Sequence, residues 1–232
     1  MSDKIKLSVV MPSFNEEKAI AVMIEEIKKN TAAYDTEILL VDSSKDKTPE
    51  IAASLGAKVI SQPPRGHGVA LRAAIENATG DIVITSDCDN TYPMSFIPEL
   101  VRLINEEGYD LISCNRLNKM LGKEMPFSNR MANMSFALLV RMLYGIKTHD
   151  VTTGMFAFSR KLRQQVRYEN NYSLPCEIIV RSVLAGFKYK EIDIPYRFRI
   201  GEVTLNKWRS GKAYLRCIFN YKFNLKIGAE NM

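Results

Sequence analysis

Histidine and tryptophan are nearly absent from this chain: of 232 residues, two are histidine, His67 and His149, and one is tryptophan, Trp208. Neither histidine is spaced to build a metal cluster or a His-activated nucleophile. Cysteine is sparse as well. Cys88, Cys114, Cys176 and Cys217 lie far apart with no C-x-x-C pair, which argues against a zinc site or a disulfide framework and predicts four reduced thiols. No uninterrupted apolar run approaches the ~20 residues that span a bilayer. The opening MSDKIKLSVV has no signal-peptide layout, so the expectation is a cytoplasmic protein. Internal repeats and linker-like stretches are also missing, which favours one domain over 1–232.

What is present is an ordinary globular balance, 46% hydrophobic and 25% charged residues, with a net charge of +6. An excess of cations favours polyanionic partners such as nucleotides, phosphates, anionic lipid surfaces or nucleic acid. No recognisable nucleic-acid motif accompanies it, so no nucleic-acid partner is expected. Short β-branched runs at 6–11, 37–42, 57–61, 81–86 and 111–115 alternate with helical apolar patterns, as in Ala19, Ile20, Met23, Ile24 and Ile27. Further helices are predicted over 69–78 and 95–107. Alternating strands and helices predict an α/β fold, a doubly wound, mostly parallel sheet with helices on both faces. In such sheets ligands sit beyond the carboxyl ends of the strands, and the loops there are polar.

At the end of the fourth strand stands Asp87-Cys88-Asp89. Two carboxylates one residue apart offer hard oxygen ligands to Mg²⁺ or Mn²⁺, which keep open positions for substrate phosphates. Alone, the triplet reads more readily as a solvated acidic turn capping the next helix. Asp42 and Asp46 follow the second strand, and a Pro-Ser-Phe-Asn-Glu loop follows the first. Three strand ends converging on one cleft favour a site.

These residues resemble the GT-A glycosyltransferases of family 2, and within them the dolichol- and polyprenyl-phosphate mannose synthases. SVVMPSFNEE (8–17) is similar to the family's nucleotide-binding start, and RGHGVALRAAIENATGDIVITSDCD (65–89) to its glycine-rich loop, helix and metal motif in order. The resemblance implies a Rossmann-like GT-A fold with a nucleotide-sugar-binding half, 1–116, and an acceptor-binding half, 117–232. It implies donor contacts from Pro12, Phe14, Glu16, Asp42, Asp46, Gly68, Arg72, Asp87 and Cys88, with Asp87 and Asp89 holding the metal. Phe14 stands where tyrosine is more familiar, and Thr91 where the group often offers glutamine.

Downstream, HDVTTGMFAFSRK (149–161) is similar to the family's acceptor segment and brings in Asp150 and Thr153; the alternative is a plain turn into a strand at 156–159. Glu177, opening a helix over 178–185, stands where many members carry an acidic residue facing the acceptor, or serves as helix N-terminal charge. The resemblance puts phosphate contacts at Arg116, Arg130, Arg197, Arg199 and Lys207, the last in a basic loop within 194–214. The stretches at 129–146 and 212–226 mix apolar, aromatic and basic residues; they read as core-packing helices or as helices on an anionic membrane.

The implied reaction is metal-dependent, inverting transfer of a hexose from a nucleoside diphosphate sugar to polyprenyl phosphate, with Asp89 catalytic. The resemblance favours GDP-mannose as donor and leaves a UDP-sugar open. A phosphate acceptor is already ionised; a sugar or natural-product hydroxyl would need Asp150 or Glu177 as base. A non-catalytic nucleotide-sugar-binding module is the remaining alternative. Peripheral attachment to the cytoplasmic face of a membrane, and a membrane-protein partner, are compatible with all of this.

Overall fold

The computed structural model describes residues 4–120, 125–201 and 207–223, without the side chain of Lys207. The chain begins with β1 (Lys6–Ser13), α1 (Ile20–Thr31), β2 (Asp35–Asp42), α2 (Thr48–Ser54), β3 (Lys58–Ser61), α3 (His67–Asn77) and β4 (Ile82–Thr85). Then follow α4 (Ile97–Asn105), β5 (Leu111–Asn115), α5 (Phe127–Tyr144), β6 (Phe156–Ser159), α6 (Arg160–Gln165), α7 (Leu174–Leu184), β7 (Tyr189–Asp193) and α8 (Lys207–Phe223).

The strands form one seven-stranded sheet in the order β3-β2-β1-β4-β6-β5-β7. Every pairing is parallel except those of β6, which runs antiparallel between β4 and β5. The α/β class and mostly parallel sheet agree with the sequence expectation, and β6 adds a detail it did not contain. A strand from the second half fills the gap between two strands of the first, and Phe156 and Phe158 are wholly buried there. Alternation along the strands divides the core into two layers. Val10, Leu39 and Val83 face α3, α5, α7 and α8, while Val9, Met11, Leu40 and Ile84 face α1 and α4.

The stripe Ala19, Ile20, Met23, Ile24 and Ile27 is entirely buried. The helix expected over 95–107 is split into a 3₁₀ turn, Met94–Phe96, followed by α4. Pro98 explains the break, since it has no N–H to bond four residues back and fits only a first helical turn. The helix expected over 178–185 starts earlier, at Leu174, with Pro175 in its first turn. Gly145, at φ 70°, ends α5 in the left-handed conformation that a Cβ disfavours.

The chain leaves β1 to one side for β2 and returns to its other side for β4, so the strand order reverses between β1 and β4. A crevice opens where such a reversal occurs. Two of the polar loops singled out above, after β1 and after β4, flank it.

Candidate active site

Three loops build the cleft, and short polar bonds lock them together. After β1, Asn15 takes a left-handed backbone, φ 57°; its N–H donates to Ser44 Oγ at 2.7 Å and its Oδ1 accepts from Lys45 N–H at 2.9 Å. Asp42, buried at the end of β2, accepts from Ser13 Oγ at 2.6 Å and from Ser44 N–H at 3.0 Å. Asp46 accepts from Thr48 N–H at 3.0 Å and Glu17 N–H at 3.3 Å, and its pKa is lowered because these bonds outweigh desolvation. Both aspartates thus shape the loops around the candidate base site. Pro12 is buried, while Phe14 stands 40% exposed at the rim.

Glu16, Asp87 and Asp89 form an acidic group within the crevice. Glu16 has its pKa pushed up to about 7 by desolvation and by the charges of Asp89, Asp87 and Asp46, against the pull of Arg199. Burial and the Asp87 charge also raise Asp89. Asp87 goes the other way: desolvation opposes its charge, but the hydrogen bond and charge of His67 lower its pKa. Thr91 N–H donates to Asp89 Oδ1 at 3.0 Å, and the Thr91 hydroxyl donates to the same oxygen. Thr91 therefore orients this carboxylate where relatives of the resembled group offer a further ligand.

Glu16 Oε2 is buried with no hydrogen-bond partner among the described residues. The Arg199 guanidinium lies against Asp89 Oδ2, and its other arm is 3.8 Å from Glu16 Oε1. The segment bearing it is laid along the metal motif by Ile200 N–H to Asp89 O, 2.9 Å, and Arg197 N–H to Thr91 O, 3.0 Å. Among the described residues no group of three or more His, Cys, Asp or Glu is arranged to hold a metal. The donor set fits a hard cation held by two carboxylates and completed by substrate oxygens.

Several expected contacts have other tasks. Asp150 is wholly buried and binds Arg116 through two bonds, 2.7 Å from Nε and 3.1 Å from Nη2. Desolvation opposes its charge, but the Arg116 guanidinium overrides this and lowers its pKa. Arg116 also lies 5.1 Å from the Tyr196 ring centre and 5.9 Å from that of Tyr92. This pair is an internal strut, with neither member free as a base or a phosphate contact. Glu177 is buried and accepts from Asn170 N–H at 2.8 Å, Glu169 N–H at 3.0 Å and the Tyr221 hydroxyl at 2.7 Å. It fastens α8 and the loop before α7, so it does not serve an acceptor.

Arg72 donates to the carbonyls of Tyr168 and Glu169, which replaces the expected donor contact. Arg197 is held by Glu26 of α1 in a fork, at 2.7 and 2.9 Å, rather than standing open to a phosphate. Cys88 is buried and its thiol donates to Pro12 O at 3.4 Å, so its side chain faces the core. Thr153 is wholly buried and its hydroxyl accepts from Met155 N–H at 3.3 Å, leaving no face for an acceptor. Arg130 spends Nη2 on Leu117 O, but its buried Nε has no hydrogen-bond partner among the described residues. The Lys207 side chain lies outside the described residues.

Sequence reasoning passed over Asn171 and Tyr92, and took His67 only as part of the donor loop. His67 places Nε2 2.9 Å from Asp87 Oδ1. Asn171, far along the chain, accepts from Gly68 N–H at 3.0 Å and donates to Arg65 O at 2.9 Å. The Tyr92 hydroxyl accepts from Gly154 N–H and so ties the acceptor segment to the metal motif. His67 carried a local signal, its place between two glycines. Asn171 carried none.

The sequence model for "Glycosyl transferase family 2" matches residues 8–167. A dolichyl-phosphate hexose transferase of Haloferax volcanii is 43% identical over 208 residues, covering 89% of this chain and 90% of that protein. The low-salt glycan biosynthesis hexosyltransferase Agl6 of the same organism is 32% identical over 216 residues, covering 90% of this chain but 52% of its relative. Among solved structures, mannosyl-3-phosphoglycerate synthase from Rubrobacter xylanophilus superposes with a TM-score of 0.76 at 19% identity, over 94% of this chain and 74% of that one. Glucosyl-3-phosphoglycerate synthase from Mycobacterium tuberculosis, in complex with Mn²⁺, UDP and glucosyl-3-phosphoglycerate, superposes with a TM-score of 0.73 at 23% identity, over 97% and 82%. Those two structures speak for the GT-A fold, and the sequence matches for the activity: the chain belongs to glycosyl transferase family 2 and is a glycosyltransferase.

Proposed function

We propose that this enzyme transfers a hexose from a nucleoside diphosphate sugar to polyprenyl phosphate, with inversion at the anomeric carbon. One observation carries the choice of acceptor: Asp150 and Glu177, the two carboxylates that the resemblance offered to deprotonate a hydroxyl, are both buried and engaged by other partners. An acceptor phosphate is ionised at neutral pH and needs no such base. The name of the 43% identical relative supports the same reading.

The residues fit a divalent cation, Mg²⁺ or Mn²⁺, held by Asp87 and Asp89. When bound, it offsets the charge that develops on the leaving diphosphate. Pro12, Phe14 and Glu16 line the donor side, with Gly68 in the adjoining loop, where its missing Cβ leaves room for the Asn171 carbonyl. Arg199 moves from Asp89 to the donor phosphates as the site fills, a task suited to a planar guanidinium. Arg130, half-buried at the start of α5, is retained as the arginine on the acceptor side. GDP-mannose is the donor we favour, with a UDP-sugar as the second choice, since a structural neighbour was solved with UDP.

A polyprenyl acceptor calls for a membrane surface; we propose its cytoplasmic face, with α5 and α8 as the part of the protein that meets it. Phe127, Met131, Met134, Leu138 and Met142 of α5 are exposed, as are Trp208, Leu215, Phe219 and Phe223 of α8. The two helices pack together through Phe136 stacked on Tyr214, 5.2 Å between ring centres. Arg141, Arg209, Lys212, Arg216 and Lys222 add cations to the same pair, the composition of an interfacial helix. Among the described residues no helix is long and apolar enough to cross a membrane.

The test is transfer of labelled sugar from GDP-mannose or UDP-glucose to polyprenyl phosphate in vesicles, with Mn²⁺ or Mg²⁺. A lipid-soluble product formed by the wild type and lost in Asp89→Ala is expected. Transfer to soluble sugar hydroxyls, with none to lipid phosphate, would overturn the proposal.

A further inference from the structure

His67 has no part in the transfer as described, yet the structure invests heavily in its position. Gly66 and Gly68 flank it, and both abut Asn171. A Cβ on Gly68 would lie 2.1 Å from the Asn171 carbonyl oxygen, and one on Gly66 2.5 Å from Asn171 Nδ2. Gly66 also has a φ of 106°, a backbone that side chains other than hydrogen rarely adopt. Asn171 also donates to the carbonyl of Arg65, the residue before Gly66, and accepts from the N–H of Gly68 itself. Pinned on both sides, the loop aims His67 at Asp87, with Nε2 2.9 Å from Oδ1. Beneath Asp87 lies Gly154, where a Cβ would come within 3.0 Å of one carboxylate oxygen and 3.1 Å of the other.

We infer that His67 is a positioning residue that fixes the Asp87 carboxylate for the divalent cation, engaging Oδ1 so that Oδ2 is left to the ion. Hydrogen-bonded partners of this kind hold a ligand's orientation, and removing them weakens metal affinity by about 10- to 100-fold. Imidazole suits the task because one ring nitrogen occupies one carboxylate oxygen. A guanidinium fork would claim both. The inference rests on the reading above, in which Asp87 and Asp89 hold the cation.

The experiment measures Mn²⁺ binding by electron paramagnetic resonance, with UDP or GDP present, for wild type, His67→Ala, His67→Gln and Asp89→Asn. His67 is about half exposed, 48%, so its variants should keep the wild-type unfolding midpoint without metal. The expected result is a Mn²⁺ affinity about tenfold or more weaker in His67→Ala. His67→Gln should recover most of it, because its amide N–H reaches a similar point. Wild-type affinity in His67→Ala would overturn the inference, as would a Gln variant no better than the Ala variant. So would nitrogen modulation from a coordinated imidazole in the pulsed spectrum of the wild type, which would make His67 a direct ligand. A wild type that binds no Mn²⁺ overturns the metal reading and this inference together. Binding lost in Asp89→Asn but untouched in His67→Ala overturns this inference alone.

Discussion

Glu16 is a carboxylate surrounded by carboxylates, and its cost to the fold depends on pH. Its pKa rises from an ordinary 4.5 to about 7, so the native state keeps a proton that the unfolded chain has released. Below 4.5 both states are protonated; as pH climbs to 7 that advantage is lost, and stability falls with it. Metal-free wild type should therefore lose thermal stability relative to Glu16→Gln across this window, and a flat difference would show that the charges do not meet. Asp150 has the opposite sign. Its lowered pKa makes its contribution present above the ordinary aspartate range and lost as pH falls through the folded value. Asp150→Asn should destabilise by about 3–5 kcal/mol in urea unfolding, because Arg116 stays buried without its counter-charge. Neither role was legible at the residue itself. Asp150 sat in an acceptor-like motif, and only the fold revealed Arg116 beside it.

Elements show how far local pattern reaches. The stripe of α1 and the strand at 111–115 follow directly from apolar spacing, and Pro98 and Pro175 mark first helical turns. Glu177 lies in the first turn of α7, as the helix-charge reading anticipated, yet its partners are residues 169, 170 and 221, drawn together by packing. Glu177→Gln sets an amide NH₂ against backbone N–H donors and should lower the unfolding midpoint while the folded fraction keeps its kcat. A collapse of kcat in fully folded protein would return Glu177 to catalysis. The start of α3 gives a second check. Gly68→Ala forces a Cβ onto the Asn171 carbonyl, and overpacking of this kind costs about 1–3 kcal/mol. Metal-dependent nucleotide binding, followed by thermal shift, should weaken with it.

At the scale of the whole molecule, polarity is uneven. The two core layers are well covered around the sheet, while α5 buries only Ala137 and Val140 fully and leaves a row of methionines and a phenylalanine in solvent. An anionic lipid surface would satisfy both the apolar row and the nearby cations. Co-sedimentation with phosphatidylglycerol vesicles should exceed that with phosphatidylcholine vesicles and weaken as salt shortens the Debye length, about 10 Å at 0.1 M. Met131→Asp with Met142→Asp should abolish it without altering the unfolding midpoint. Equal binding to both vesicle types would remove the electrostatic half of the argument, and concentration-dependent dimerisation lost in the same variant would assign the face to a second copy.

The sequence by itself determined the α/β class, the alternation of strands and helices through residue 115, and the Asp87-Cys88-Asp89 turn at a strand end, because each is written in local spacing and in residues a few positions apart; α6 and β7 were not read from it. It could not place β6 between β4 and β5, since strand order follows from how apolar faces share one sheet. Nor could it sort the charged residues. Asp87, Asp89, Glu16 and Arg199 meet in the cleft, whereas Arg72, Arg116, Arg197, Asp150 and Glu177 are spent on partners brought close by folding. A buried charge is held by whatever satisfies it across space, and that partner is a property of the tertiary structure.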